Sequence, residues 1–193
     1  MSATNADRYG TVLAPANLGL VHRLLNSTSS PRKPDLFDEV GSAQAWLDEA
    51  LADRASRGEE VPSLHLRKVD LDSLRTLRTE VHDAITAHGG DDPDDGPALR
   101  SAVEVTLGAD GTVRADPRGQ GAVPWLRSAV LLACLEAELT GEWSRLKICA
   151  NPDCSIAFFD RSKNRSGAWH DVHVCGNQVN LRASRARRRQ AAG

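Results

Sequence analysis

Several things are scarce in this 193-residue sequence, and each scarcity removes a class of explanation. No apolar run approaches the roughly 18–20 residues needed to cross a bilayer. The opening Met-Ser-Ala-Thr-Asn-Ala-Asp-Arg-Tyr lacks the charged-then-apolar plan of a secretory leader, so a cytoplasmic location is expected. Four cysteines in so long a chain do not make a disulfide scaffold. There is no Gly-rich phosphate loop, no H-E-x-x-H and no nucleophile elbow, and the expectation is that the protein is not an enzyme. His22, His65, His82 and His88 stand singly and read as surface or capping residues, and Glu80 and Asp83 as a solvated helix face. Aromatics are also few: four Trp, three Phe and one Tyr.

What is present is unevenly distributed. From Arg145 onward there are ten Lys or Arg against Asp153, Asp160 and Asp171, whereas the preceding residues carry a net charge of −9. Segregation of this kind points to an anionic partner for the second part. A boundary is expected near Gly141–Arg145, dividing the chain into an acidic regulatory or sensor-like domain, 1–141, and a basic module, 142–193.

Apolar periodicity makes the first part mainly helical. Helices are expected over about 12–26, 43–54 with Ser42 as N-cap, 70–87 capped by Asp70, and 124–140 with Pro124 in the first turn. His88-Gly89-Gly90 should end the third, and Asp91 to Pro97 reads as a polar linker. Val103-Glu-Val-Thr-Leu107, then Gly-Ala-Asp-Gly, then Thr112-Val-Arg-Ala115 is a β-hairpin signal. The expected fold class is therefore mainly α with a small β-hairpin (α+β), plus a small C-terminal metal-binding module ending in a basic helix.

Within the basic module, three of the four cysteines and a histidine fall in 27 residues: Cys149, Cys154, His170 and Cys175, spaced C-x4-C-x15-H-x4-C. Zinc favours four soft or borderline ligands drawn as two close pairs, and in a reducing compartment clustered cysteines serve metals. Asn151-Pro-Asp153 supplies turn chemistry inside the first pair, and the flanking 145–149 and 155–159 read as strands of a hairpin. His173 competes with His170, but its single-residue separation from Cys175 would make a very tight chelate, so His170 is preferred. Cys134 lies on the apolar face of its helix and reads as core rather than ligand. Four protein ligands leave no open position, so one structural Zn2+ is expected.

Residues 177–190 read as a helix continuing from the metal loop. At about 100° per residue, Arg182, Arg185 and Arg189 share a face, with Arg188 adjoining and Arg187 opposite. Lys163 and Arg165, between the two ligand pairs, could extend that basic surface.

The stretch Leu146 to Arg189 resembles the CGNR zinc finger, a bacterial C-terminal module. Its residues here are Cys149-Ala-Asn-Pro-Asp-Cys154, Phe158-Phe-Asp-Arg-Ser-Lys-Asn164, Trp169-His170 and Cys175-Gly-Asn-Gln178. The acidic part is similar, in length and in its Asp70-Leu-Asp-Ser-Leu-Arg75 segment, to the domain that accompanies this finger in a family described as stress-induced transcription regulators. Two departures stand out: His170 occupies a cysteine position of the pattern, and Gln178 replaces its arginine. The resemblance implies a zinc-containing regulator that binds nucleic acid through the basic helix. The shortage of rings for base stacking favours duplex DNA. RNA binding and a zinc-stabilised protein-interaction module remain open alternatives. A homodimer and an effector at the N-terminal domain are compatible with the sequence, and no membrane partner is expected.

Overall fold

The computed structural model describes residues 7–87 and 98–190. In chain order these form helices α1 (Leu18–Leu25), α2 (Val40–Ser56) and α3 (Leu71–Ala87), strands β1 (Val103–Leu107) and β2 (Val113–Pro117), helix α4 (Ala122–Leu139), strands β3 (Leu146–Ile148) and β4 (Ala157–Phe159), and helix α5 (Asn177–Gln190). The α+β reading therefore holds. The expected terminator His88-Gly89-Gly90 and linker 91–97 lie outside the described residues.

Helix α1 is the centre of the body. Leu18, Leu20, Val21, Leu24 and Leu25 are all buried, as is His22, so the helix is covered on every side by α3, α4 and β4. It begins six residues later than periodicity alone indicates. Pro15 cannot donate a helical hydrogen bond, and Ala16 has a left-handed φ of 49°, so the chain turns before Asn17. Helix α3 buries the stripe Leu71, Leu74, Leu77, Val81 and Ile85 against this centre. Asp70 closes the short turn before it, its carboxylate accepting the Arg67 N–H at 2.8 Å.

Helix α2 starts at Val40, not after Ser42. The Ser42 hydroxyl sits inside the first turn and donates to the Leu36 and Glu39 carbonyls at 2.7 and 3.0 Å, so it caps nothing at the N-terminus. From α2, Trp46 meets the wholly buried Phe37 edge-on, ring centroids 5.1 Å apart. Helix α4 starts with Ala122 and Pro124 in its first turn and buries Trp125, Leu126, Ala129, Val130 and Ala133.

The two hairpins are placed differently. Strands β1 and β2 pair antiparallel, and β2 lies along α4. Strands β3 and β4 also pair antiparallel, and Leu146 and Ala157 from them join the same apolar cluster as the helices. Among the described residues no helix is long and apolar enough to cross a membrane.

Candidate metal centre

The β3–β4 hairpin carries the first ligand pair at its turn. Cys149 ends β3 and its N–H donates to the Ile156 carbonyl at 3.0 Å, continuing the ladder one rung. Asn151 then tightens the loop. Its carbonyl accepts the Cys154 N–H at 2.8 Å, and its side-chain oxygen accepts the Asp153 N–H at 3.2 Å. This is the Asx chemistry expected of Asn-Pro-Asp, and it folds Cys154 back towards Cys149.

The second pair is held by a helix start. Asp171 Oδ1 accepts the N–H groups of His173 and Val174 at 2.7 and 3.0 Å, capping a wide helical turn over Val172–Gly176 that runs into α5. The Asp171 carbonyl takes the N–H of both Cys175 and Gly176, which brings Cys175 inward. A side chain on Gly176 would meet the Trp169 ring at 3.2 Å, so the ring seals this turn.

The ligand atoms of Cys149, Cys154, His170 and Cys175 all lie within 4.8 Å of one another. His170 Nδ1 is 3.4 Å from the Cys154 sulfur and 3.6 Å from that of Cys175. Tetrahedral zinc with sulfur and imidazole ligands requires edges of about 3.5–3.8 Å; the two His170 separations are close to these, and three thiols with one imidazole are the donor types of a structural zinc site. The cluster takes one structural zinc, closed by four protein ligands, with a net charge of −1 when three thiolates and a neutral imidazole bind.

The electrostatics of the bare donors oppose such a charge. Burial, reinforced by the neighbouring thiols of Cys149 and Cys175, pushes the Cys154 thiol up to about 12. Burial likewise raises Cys175 and lowers His170. The cation reverses this by stabilising thiolate directly, and the Asn151 amide adds a hydrogen bond to the Cys175 sulfur. Cys134 is remote from the cluster; burial alone raises its thiol to about 12, as suits an inert core residue.

The inter-pair loop has its own clamp. Buried Asp160 accepts from Lys147 Nζ at 2.7 Å and from the N–H groups of Gly167 and Ser162 at 2.7 and 2.9 Å. Burial disfavours its charge, but these donors outweigh burial and hold the carboxyl far below its ordinary range. Gly167 is required here because a side chain would lie 2.8 Å from that carboxylate.

Of the basic residues singled out from the sequence, Arg182, Arg185, Arg188 and Arg189 are exposed along α5, and Lys163 and Arg165 are exposed in the loop. Two are already engaged. Arg182 forms an ion pair with Asp153 of the first ligand turn, and Arg165 donates to Ser144 Oγ at 3.0 Å. Gln178 also faces the first turn, accepting from the Asn151 amide at 3.2 Å. Gln178 and Arg182 thus fasten α5 to the Cys149–Cys154 turn from successive helical turns.

The residues that seat the hairpin were not foreseen. His22 is wholly buried, not on the surface. Its Nδ1 accepts the Ala14 N–H at 3.1 Å, which leaves Nε2–H to donate to the Ala157 carbonyl at 3.1 Å. Asn26, one turn later, donates to that carbonyl at 2.9 Å and accepts the Ala157 N–H at 2.8 Å. The one sequence signal was the i, i+4 placement of His22 and the C-cap Asn26 along a helix whose other residues, Arg23 apart, are apolar or glycine.

Comparison with known families agrees with this geometry. Residues 145–188 match the CGNR zinc finger, and residues 19–142 match the ABATE family, described as "Putative stress-induced transcription regulator". A search of curated proteins finds no match. Because the second match spans well over half of the sequence, the chain belongs to the ABATE family and carries a CGNR zinc finger behind its helical body.

Proposed function

We propose that this regulator is a cytoplasmic DNA-binding protein that reads duplex DNA with α5. Residues 142–193 form the nucleic-acid module in this reading, and residues 1–141 form the regulatory part, open to an effector. Cys149, Cys154, His170 and Cys175 are its zinc ligands. The metal's task is structural, setting the first turn of α5 against the hairpin.

One observation supports the reading most. The Arg-bearing helix rises directly from the second ligand pair, and Arg185, Arg187, Arg188 and Arg189 are exposed on it. Guanidinium groups bind phosphate through paired donors, and a helix fits the major groove of B-form DNA. Arg182, Arg185, Arg188 and Arg189, with Lys163 and Arg165 from the loop, are the proposed backbone contacts. Arg182 would exchange Asp153 for phosphate or keep the helix docked.

The test is titration of the zinc-loaded protein against duplex DNA, single-stranded DNA and structured RNA at several salt concentrations. Duplex binding with a log–log salt slope of about −0.9 per phosphate neutralised is expected. An R185A/R188A/R189A variant should keep its zinc and lose most of the affinity. No duplex binding at low salt would overturn the proposal, and preference for RNA would transfer it to the other nucleic acid.

A further inference from the structure

The β1–β2 ribbon has no role in the zinc centre, and its surface is unusual. Val105, Leu107 and Val113 are about 70% exposed, far more than strand side chains of this type normally are. The register places Val103, Val105 and Leu107 opposite Pro117, Ala115 and Val113, so these six share one face. Glu104, Thr106, Arg114 and Asp116 share the other. Apolar-in, polar-out alternation is the pattern of a sheet with one face covered. A lone two-stranded ribbon is marginal in water and gains from further strands.

Its two edges differ. At the turn, the Gly108 N–H donates to the Thr112 carbonyl at 2.7 Å, making 108 and 112 a hydrogen-bonded pair. The alternation of an antiparallel ladder then turns the N–H and C=O groups of Val103, Val105 and Leu107 away from β2. On the opposite edge, the same outward positions are Val113, Ala115 and Pro117. Pro117 has no N–H, is buried, and lies where β2 meets α4, so that edge is closed at its Pro117 end. Strand β1 is exposed along its whole length.

We infer that β1 is a homodimer contact, in which a second copy of this chain adds its own β1 antiparallel about a two-fold axis at Val105. Strand β1 is self-complementary about that axis. In that register Val105 meets Val105 of the second copy, and Val103 meets its Leu107, so the apolar face continues across the axis. Glu104 meets Thr106 of the second copy, and no like charges oppose each other. The outward groups of residues 103, 105 and 107 pair with one another, completing a four-stranded sheet. Such an interface is isologous and needs one surface only. It would present two basic helices with two-fold symmetry.

Sedimentation of the zinc-loaded full chain over a range of concentrations tests this directly. A reversible dimer is expected. Val105→Pro removes an outward N–H at the axis and leaves the β1–β2 bonds intact, so dimer Kd should rise about tenfold or more. Thr106→Glu, which sets two carboxylates opposite each other, should also weaken the dimer, and the double variant E104K/T106E should restore it. Circular dichroism and zinc content report whether each variant keeps its fold. A wild-type chain that stays monomeric at every concentration reached overturns the inference, as does a dimer indifferent to both V105P and T106E. Failure of E104K/T106E to rescue a weakened T106E dimer overturns the proposed register.

Discussion

The two hairpins of this protein invert the usual expectation from strand length. The β1–β2 ribbon has five-residue strands rich in valine, yet every β1 side chain is exposed. The β3–β4 hairpin has three-residue strands, yet Leu146 and Ala157 are buried in the main core. What anchors the shorter one is capture from outside. Asn26 takes both backbone groups of Ala157, His22 takes its carbonyl again, Lys147 and Asp160 staple the loop, and the cysteine–histidine cluster gathers the end. β-propensity decides little here; burial and satisfied polar groups decide the difference.

The largest expected effect is loss of the metal. Zinc binding in small finger modules is worth on the order of 10–16 kcal/mol, so chelation or Cys175→Ala should melt α5 and the two ligand turns. Far-ultraviolet circular dichroism and metal analysis would follow this, and the β1–β2 ribbon should be indifferent. Retention of full helicity without zinc would show that the hairpin is held mainly by its contacts with α1.

Asn26→Ala probes those contacts. It strands the Ala157 N–H in the core, and an unsatisfied buried polar group costs about 1–3 kcal/mol. Denaturant unfolding should show a clear fall in midpoint. An unchanged midpoint would mean that water or a shifted strand replaces the amide.

A pH experiment isolates His22. Burial is the main cause that lowers its pKa, against the opposing pull of Asp7. Below an unfolded pKa of about 6.5 the unfolded chain therefore binds the extra proton first, and stability falls as pH drops from there towards the lowered folded value. Protonation would also remove the acceptor for the Ala14 N–H. Urea unfolding between neutral and mildly acidic pH should show a shallower pH slope in His22→Gln than in the wild type. Equal slopes would assign the acid sensitivity elsewhere, His170 included.

Asp160 has the same sign in a lower pH window. Its folded pKa is held down, so its contribution is present above the unfolded carboxylate range and lost as pH falls through it. Asp160→Asn should cost about 1.5–3 kcal/mol, the range for hydrogen bonds to a charged group. The smallest effect belongs to the ribbon. Val105→Ala, at an exposed position, should stay within about 0.5 kcal/mol in the monomer. A larger loss would mean that the ribbon is already covered.

The parts legible in the sequence are those written in local chemistry. Helix α3 follows its leucine stripe residue for residue, Pro124 sits in a first helical turn, and Gly108-Ala-Asp-Gly111 is the turn between β1 and β2. The metal cluster is legible because ligand type and spacing alone define a chelate. Local signals misled where a competing contact won. Ser42 has the right chemistry for an N-cap but spends its hydroxyl on Leu36 and Glu39 carbonyls. The 12–26 apolar run hides a break at Pro15–Ala16. His22 reads as a solitary polar residue because its partners are 8 and 135 positions away.

By itself, then, the order of residues determined the helical class, the zinc ligands' company and the basic helix that follows them, since each depends on neighbours within a few turns of chain. Only the tertiary structure decided where the zinc hairpin is seated, which arginine is tied to Asp153, and which strand edge is open. Those outcomes rest on groups far apart in sequence, and whether such a group is buried, paired or exposed is set only when the packing brings them together.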